Sequence, residues 1–222
     1  MNETPLYIIR IPTSNLDISV PYFKNQGFKV IAAEELINTV WIQKGELLFS
    51  LCECAAEHPM LVSYWQNPDQ FLNKIDSLGI ICNFAADSLG NHFEAIFTDP
   101  AGFGISAADK KDLPEKIKNA DYSRLFELAI PAVPQFPDSI NFWNSLGFSP
   151  LPDKPRPHPW CRMHSGNLTI GIHQSQDWLN PSLVFEKEAP ITNEFEISRD
   201  LKSSGTAYIS ETCDHLLIYR IV

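Results

Sequence analysis

The sequence predicts an α+β fold built from four β-α-β-β-β modules, which form two halves. Three observations predict this architecture: an internal repeat, glycines that end four helices, and a regular succession of strand, helix and strand meander. The chain of 222 residues is long enough for two compact units of about 100 residues. We expect one half at residues 1–110 and a second, more degenerate half at residues 121–222.

The repeat has a period of about 120 residues. PYFKNQGFKV (21–30) matches NFWNSLGFSP (141–150), since both are aromatic-rich helix ends followed by glycine and phenylalanine. Downstream, KGELLFSL (44–51) matches SGNLTIGI (165–172) at almost the same offset. Self-similarity over this distance indicates that the second half repeats the plan of the first.

Four glycines mark the predicted helix ends. Two helices come from the repeat, and two more are predicted at FLNKIDSLGI (71–80) and EISRDLKSSGT (196–206). Glycine adopts the left-handed conformation that often follows a helix at little cost. We therefore expect each glycine just beyond the end of a helix: Gly27, Gly79, Gly147 and Gly205.

A strand precedes each helix, and one to three extended stretches follow it. The four leading strands are LYIIRI (6–11), MLVSYW (60–65), LFELAI (125–130) and SLVFEK (182–187). The charged segment 108–123 is predicted as a linker between the halves. Five prolines in 149–160 favour a surface loop or an edge strand there. The last module is predicted to be less regular, because few residues follow Gly205.

Composition excludes several classes of partner. A net charge of −10 and the absence of any Lys/Arg run longer than two residues disfavour nucleic acids and anionic membrane surfaces. The N-terminus lacks the pattern of a signal peptide, and no stretch has the roughly 20 apolar residues of a membrane span. Five cysteines without a secretion signal indicate reduced thiols. We expect a cytoplasmic protein.

Two short patterns leave alternatives open. Cys52 and Cys54 in LCEC would share one face of a strand, as a metal or redox pair or, by the favoured interpretation, as small buried apolar residues. In HPWCRMH, His158, Cys161 and His164 have a spacing that would gather metal ligands on a helix. Pro159 and the prolines before it argue against a helix there.

Paired β-α-β-β-β units with a final hairpin containing FTDPAGFGISA (97–107) resemble the vicinal-oxygen-chelate superfamily. SNLDISVPYFKNQGFKV (14–30) and FLNKIDSLGI (71–80) support the resemblance, which extends over nearly the whole chain as two fused copies of the paired module. That superfamily includes glyoxalases, bleomycin-resistance proteins and extradiol dioxygenases. The resemblance implies two glyoxalase/bleomycin-resistance-like halves, each with curved mixed sheets around a cavity.

The resemblance also indicates where a metal centre would be built: on four strand positions, two in each module. In the first half these positions fall near Ile8, Ser50, Met60 and Ser106. In the second half they fall near Leu128, Gly171, Leu183 and Ile218. A divalent cation needs converging imidazole, carboxylate or thiolate donors. We therefore expect no metal, no other cofactor and no catalytic residue.

Three polar residues are further candidates for the site. Arg10 shares the strand face of Ile8 and would contact a ligand carboxylate or phosphate, form an internal salt bridge, or lie at the rim. Side chains alternate along MLVSYW (60–65), so Tyr64 shares the face of Met60 and would supply an aromatic wall or a hydroxyl. His173 is either a cavity residue or a hydrogen-bonded histidine at a strand end. The predicted ligand-binding set is Ile8, Arg10, Ser50, Met60, Tyr64, Ser106 and His173.

Three functions remain open. The favoured one is a metal-free protein that binds a small, partly aromatic molecule. The second is a metal-dependent glyoxalase-type lyase or dioxygenase whose metal site the alignment misses. The third is an interaction scaffold without a ligand, its cavity filled by side chains. The fused halves are compatible with a monomer or a homodimer.

Overall fold

The computed structural model describes residues 5–44, 47–54, 56, 58–85, 94–118, 127–152, 158–175, 180–186, 195–196, 207–211 and 217–221. Contacts divide the chain into two compact units. Unit 1 comprises Met1–Thr98 and Gly104–Ser123, and unit 2 comprises Asp99–Phe103 and Arg124–Val222. Each unit contains one mixed sheet of eight strands. Across the described residues, no helix is both long and apolar enough to cross a membrane.

Unit 1 contains two modules that meet at the centre of one sheet. The first module is β1 (Leu6–Thr13), α1 (Leu16–Asn25), β2 (Lys29–Glu34), β3 (Thr39–Lys44) and β4 (Leu47–Glu53). The second is β5 (Met60–Trp65), α2 (Pro68–Ser77), β6 (Asn83–Ala85), β7 (Glu94–Thr98) and β8 (Gly104–Asp109), followed by α3 (Glu115–Lys118). The strand order is β2-β3-β4-β1-β5-β8-β7-β6. The modules join where β1 and β5 pair antiparallel.

Unit 2 repeats this plan. Its elements are β9 (Glu127–Pro131), α4 (Phe136–Ser145), β10 (Ser149–Pro150), β11 (Trp160–Ser165), β12 (Leu168–His173), β13 (Ser182–Glu186), β14 (Phe195–Glu196), β15 (Ala207–Glu211) and β16 (Leu217–Ile221). The order β10-β11-β12-β9-β13-β16-β15-β14 matches that of unit 1 strand for strand. The predicted α+β plan with two mixed sheets is confirmed.

The helix ends follow the glycine pattern. Gly27, Gly79 and Gly147 have φ angles of 88°, 68° and 100° and lie one residue beyond the C-caps of α1, α2 and α4. Gly205 lies outside the described residues. Glu196, predicted as the start of the fourth helix, instead lies in the two-residue strand β14, which pairs with β15. The proline-rich segment 149–160 contributes β10, an edge strand, as expected.

The helices α1 and α2 pack on one face of the unit 1 sheet through aromatic side chains. Phe23 of α1 contacts Phe28, which contacts Phe49 of β4, with ring centroids 5.5 and 5.7 Å apart. Phe71 of α2 stacks on Trp65 at 4.4 Å. Because side chains alternate along a strand, the even-numbered residues of β1, β4 and β5 are left for the opposite face.

That opposite face is partly covered by the segment predicted as a linker. Leu113 and Ile117 are 3% and 0% exposed and belong to a core cluster with Ile8, Trp41 and Tyr64. Their spacing of four residues places both on one side of α3 and the turn before it. The prediction that 108–123 is only a linker is therefore wrong for residues 108–118, because two apolar side chains dock this charged segment onto the sheet.

The turn Asp99–Phe103 is held by its first residue. Asp99 Oδ1 accepts hydrogen bonds from the backbone N–H groups of Ala101 at 2.9 Å and Phe103 at 2.8 Å. Within unit 2, Asp99 Oδ2 also accepts from Trp143 Nε1 at 3.2 Å. Burial raises the pKa of Asp99, while these hydrogen bonds oppose the rise. Asp99 thus fixes the turn and ties it to α4.

Candidate functional site

Strand register brings six of the predicted site residues to one face of the unit 1 sheet. Arg10 of β1 is paired with Ser50 of β4 and with Met60 of β5. Two residues after Met60 in β5, Val62 is paired with both Ile8 and Ser106. We call this surface the site face, and its predicted members are Ile8, Arg10, Ser50, Met60, Tyr64 and Ser106.

A buried ion pair lies on the site face. Arg10 Nη1 donates to Glu94 Oε1 at 2.7 Å, and the two side chains are 11% and 9% exposed. Ser106 Oγ donates to the same carboxylate oxygen. Arg10 Nη1 also lies 3.9 Å from Met60 Sδ. Of the alternatives for Arg10, the internal salt bridge is therefore present.

Glu94 is absent from the site residues predicted from the sequence. It reaches the site face because β7 pairs with β8 in a register that sets Glu94 opposite Ala108 and Ile96 opposite Ser106. Side chains of directly paired residues share a face. The turn at Asp99–Gly102 fixes this register, so counting back from it would have placed Glu94 beside Ser106.

The ion pair changes the electrostatics of its neighbours. Burial lowers the pKa of Arg10, but the charge of Glu94 and the nearby Tyr64 raise it more, so the net shift is upward. Burial raises the pKa of Tyr64, and the positive charge of Arg10 partly opposes this rise. Arg10 is thus a fixed cation, compensated by Glu94, and Tyr64 is a neutral phenol at physiological pH.

Three buried polar atoms on the site face have no hydrogen-bond partner among the described residues: Arg10 Nε, Ser50 Oγ and Nε1 of Trp41, which is paired with Ser50. Arg10 is 9% exposed and Ser50 is fully buried. The two residues are direct neighbours in the β1–β4 register, so their side chains start side by side from one face. Buried polar groups normally have partners, and leaving one unpaired costs about 1–3 kcal/mol.

The other end of the site face is closed by the protein itself. Ile8 is 1% exposed and Tyr64 4% exposed, and both pack in the core cluster with Leu113 and Ile117. Met60, by contrast, is half-buried. The end of the site face near Arg10, Ser50 and Met60 therefore carries the side chains with unpaired polar atoms. The end near Ile8 and Tyr64 is part of the packed core.

Unit 2 has a different buried chain of polar side chains. Glu127 Oε1 lies 2.9 Å from His173 Nε2, and both side chains are fully buried. His173 Nδ1 lies 2.9 Å from His158 Nε2, and Trp160 stacks on the His173 ring at 5.6 Å. His173 is the hydrogen-bonded histidine at a strand end that the sequence offered as one alternative.

Solved structures share this architecture at low sequence identity. A catechol 2,3-dioxygenase matches 96% of this chain and 85% of its own, with a TM-score of 0.64 and 11% identity. A homoprotocatechuate 2,3-dioxygenase variant from Brevibacterium fuscum in complex with HPCA matches 99% of this chain and 72% of its own, with a TM-score of 0.64 and 15% identity. A Mn(II)-bound glyoxalase from Novosphingobium aromaticivorans matches 98% and 81%, with a TM-score of 0.60 and 14% identity. The chain has the vicinal-oxygen-chelate fold. No protein-family model and no curated protein matches it.

The metal positions expected of the vicinal-oxygen-chelate fold do not suit a divalent cation in unit 1. Ile8 has no donor atom, Ser50 and Ser106 offer neutral hydroxyls, and Met60 offers a thioether. The guanidinium of Arg10 approaches Met60 Sδ and shares Glu94 with Ser106. A second cation at this place would be repelled by Arg10, so the residues present do not fit the metal.

In unit 2 three of the four expected positions were misaligned by one residue, whereas Gly171 was placed correctly as the counterpart of Ser50. Ala129 of β9 is paired with Gly171 and with Ser182, just as Arg10 is paired with Ser50 and Met60. The counterpart of Ile8 is therefore Glu127 and not Leu128, and Ser182 replaces Leu183. By register, Tyr219 takes the place assigned to Ile218. A slip of one residue reverses the face of a strand, which is why the sequence interpretation failed here.

Gly171 makes room for the Glu127–His173 pair. A Cβ atom at Gly171 would lie 2.7 Å from both Glu127 Cδ and His173 Nε2. From Trp160 onward the HPWCRMH segment lies in strand β11 and not in a helix, as the prolines indicated. Within the described parts of the chain, no group of three or more His, Cys, Asp or Glu side chains is arranged to hold a metal ion.

Proposed function

We propose that this protein binds a small molecule without a metal, and that the ligand presents an acceptor oxygen to Arg10 Nε and Ser50 Oγ. The observation that carries the proposal is that these two buried polar atoms, on directly paired residues, have no partner in the part of the chain that the structure describes. A carbonyl or carboxylate oxygen placed between them would satisfy both donors, as a guanidinium and a hydroxyl both donate to oxygen.

The charge balance of the site limits which classes of ligand the proposal favours. Glu94 compensates the charge of Arg10 at 2.7 Å, so a ligand meets a neutral pair and not an isolated cation. A multiply charged anion such as phosphate would be repelled by Glu94 at close range. The proposal therefore favours a carbonyl compound or a monocarboxylate over a phosphate ester.

The surroundings of the two donors favour an apolar or aromatic remainder of the ligand. Met60 is paired with Arg10 and is half-buried, and its thioether makes favourable contacts with aromatic rings. Ile8 and Val62 lie one step further along the same face and are fully buried. An aromatic acid or ketone has this combination of an oxygen acceptor and an apolar body.

One observation favours the alternative of a fold without a ligand. Leu113 and Ile117 already cover the Ile8 and Tyr64 end of the site face. In that case a water molecule, and not a ligand, would satisfy Arg10 Nε and Ser50 Oγ. The experiment must therefore distinguish a site face that binds an organic molecule from one that is covered by the protein's own side chains and a water molecule.

The test is a thermal-shift screen of aromatic carboxylates, aromatic ketones and matched phosphate esters on the wild type and on Ser50→Ala. The variant removes an unpartnered hydroxyl, so the free protein should keep or gain stability. Binding of the active compounds should weaken by about 1 kcal/mol, roughly a fivefold rise in Kd.

Ser63→Ala is the matched control. Ser63 lies on the opposite face of β5, and its Oγ donates to the Ser106 carbonyl at 2.9 Å. This variant should lose stability and keep the wild-type affinity. Equal weakening in both variants, or no stabilising compound at all, would contradict the proposal; stabilisation by a divalent metal would favour the enzyme alternative.

A further inference from the structure

A third hydrogen-bond donor extends the row of polar side chains on the site face. Trp41 of β3 is paired with Ser50, Ser50 is paired with Arg10, and Arg10 is paired with Met60. Four neighbouring strands therefore set these side chains in one row across the sheet, because directly paired residues share a face. Trp41 also packs in the core cluster with Ile8, which places its indole ring on the site face.

The exposure of the side chains falls along this row from Met60 to Trp41. Met60 is half-buried, Arg10 is 9% exposed, and Ser50 and Trp41 are 0% and 1% exposed. The row thus begins at a partly exposed residue and ends in the interior. A ligand that enters beside Met60 would leave its apolar body there and place its polar end among the three deeper side chains.

The three deeper residues cannot satisfy one another. Arg10 Nε, Ser50 Oγ and Trp41 Nε1 are all buried, and none has a hydrogen-bond partner within the described parts of the chain. Guanidinium and indole nitrogens donate hydrogen bonds and accept none. The hydroxyl of Ser50 could accept from either nitrogen, but its own hydrogen would still need an acceptor. A change of rotamer within the row would therefore leave at least one donor unpaired.

Arg10 can bind a second acceptor although it already binds Glu94. The Glu94 carboxylate contacts Nη1 at 2.7 Å, and Ser106 donates to the same carboxylate oxygen. This leaves Nε for another group. A guanidinium has five N–H donors, so two carboxylates can bind at different nitrogens of one arginine.

We propose that the ligand of the site face is a monocarboxylate, and that Trp41 selects it over a ketone of the same shape. A ketone oxygen has two lone pairs, so it can satisfy two of the three donors and leaves one buried donor unpaired. A carboxylate has two oxygens with about four acceptor positions and can satisfy all three. This inference rests on the proposed function, which places a ligand oxygen at Arg10 and Ser50, and it adds the chemical class of the group that carries that oxygen.

The test compares two carboxylates with their methyl ketones, which have nearly the same shape. Benzoate, acetophenone, phenylacetate and phenylacetone are titrated by calorimetry into the full-length wild type and Trp41→Phe. The wild type should prefer each carboxylate. In Trp41→Phe the ratio of the ketone Kd to the carboxylate Kd should fall about tenfold, the effect of losing one hydrogen bond to a charged group. The ratio within one variant is insensitive to any loss of packing, because both compounds meet the same protein.

Trp65→Phe is the matched control. Trp65 lies on the opposite face of β5, where its ring stacks on Phe71 at 4.4 Å and its Nε1 donates to Ser63 Oγ at 3.1 Å. This variant should keep the wild-type ratio. If carboxylates and ketones bind with the same ratio in the wild type and Trp41→Phe, the proposed function stands and the role of Trp41 is refuted. If none of the four compounds binds the wild type, both are contradicted.

A measurement on the wild type alone covers the case in which Trp41→Phe does not fold. In ¹⁵N-labelled protein, the indole N–H resonance of Trp41 is assigned by through-bond experiments and followed during titration. Benzoate should move this resonance downfield, because the N–H gains a charged acceptor, and acetophenone should leave it nearly unchanged. A Trp41 resonance that stays in place at saturating benzoate would overturn the inference.

Discussion

The Arg10 guanidinium and the Glu94 carboxylate meet at 2.7 Å although two strands, β5 and β8, separate β1 from β7 in the sheet. The pair is buried, and its carboxylate also accepts from Ser106. Met60 and Ser106, which contact the two partners of this ion pair, are two of the positions at which the resemblance implies metal ligands.

The ion pair should show strong coupling in a double-mutant cycle. Arg10→Met and Glu94→Gln each leave one buried charge without its partner, so each should destabilise the protein by about 3–5 kcal/mol. The double variant leaves no buried charge and should cost much less than the two single losses combined. Urea denaturation measures this, and additive losses would contradict a direct interaction.

Metal addition should leave the protein unchanged. Zn²⁺, Mn²⁺ and Fe²⁺ should not raise the melting temperature of the tag-free chain, because Arg10 repels a cation and the neighbouring hydroxyls and thioether are poor ligands for it. Metal analysis of protein purified without chelator is the companion measurement. A stoichiometric metal lost on chelation together with a lyase or dioxygenase activity would reverse this conclusion.

Substitution of Gly171 should disturb the buried pair in unit 2. Gly171→Ala places a Cβ atom 2.7 Å from Glu127 Cδ and His173 Nε2, so those side chains must move, at a cost of about 1–3 kcal/mol. Gly104→Ala is the control, since its Cβ would lie an ordinary 3.4 Å from Met60 Cβ. Chemical denaturation should find the control near wild type, and similar losses in both variants would argue against the steric explanation.

The buried Asp99 should make stability depend on pH. Its pKa is raised by burial, so the folded protein binds a proton at Asp99 more tightly than the unfolded chain does. The stability contributed by this proton is fully present below the ordinary carboxyl pKa of about 3.9 and is lost as pH rises through the raised value.

Asp99→Asn isolates this effect. The stability of the wild type relative to Asp99→Asn should decline as pH rises from about 4, and Trp143 fluorescence in urea titrations reports it because Asp99 accepts from that indole. The variant keeps an acceptor for Ala101 and Phe103, so the turn is preserved. A relative stability that increases with pH would show that hydrogen bonding outweighs burial at Asp99.

The sequence by itself determined the repeating plan of this protein. The residue just beyond a helix often has a left-handed backbone conformation, which glycine adopts most easily. Gly27, Gly79 and Gly147 therefore locate three helix ends from local chemistry alone. The alternation of side chains along a strand likewise places Ile8 and Arg10 on one face before any partner strand is known. Both inferences depend only on the conformation of neighbouring residues.

Tertiary structure alone decided the composition of the site. Glu94 reaches Arg10 because β5 and β8 lie between their strands in a particular register, and 84 residues separate the two in the chain. Leu113 and Ile117 cover the site face only because a charged segment folds back onto the sheet. Glu127, rather than Leu128, faces His173 because pairing with β12 and β13 sets the register of β9. Strand pairing and packing act between distant segments, so no local pattern specifies which polar side chains meet.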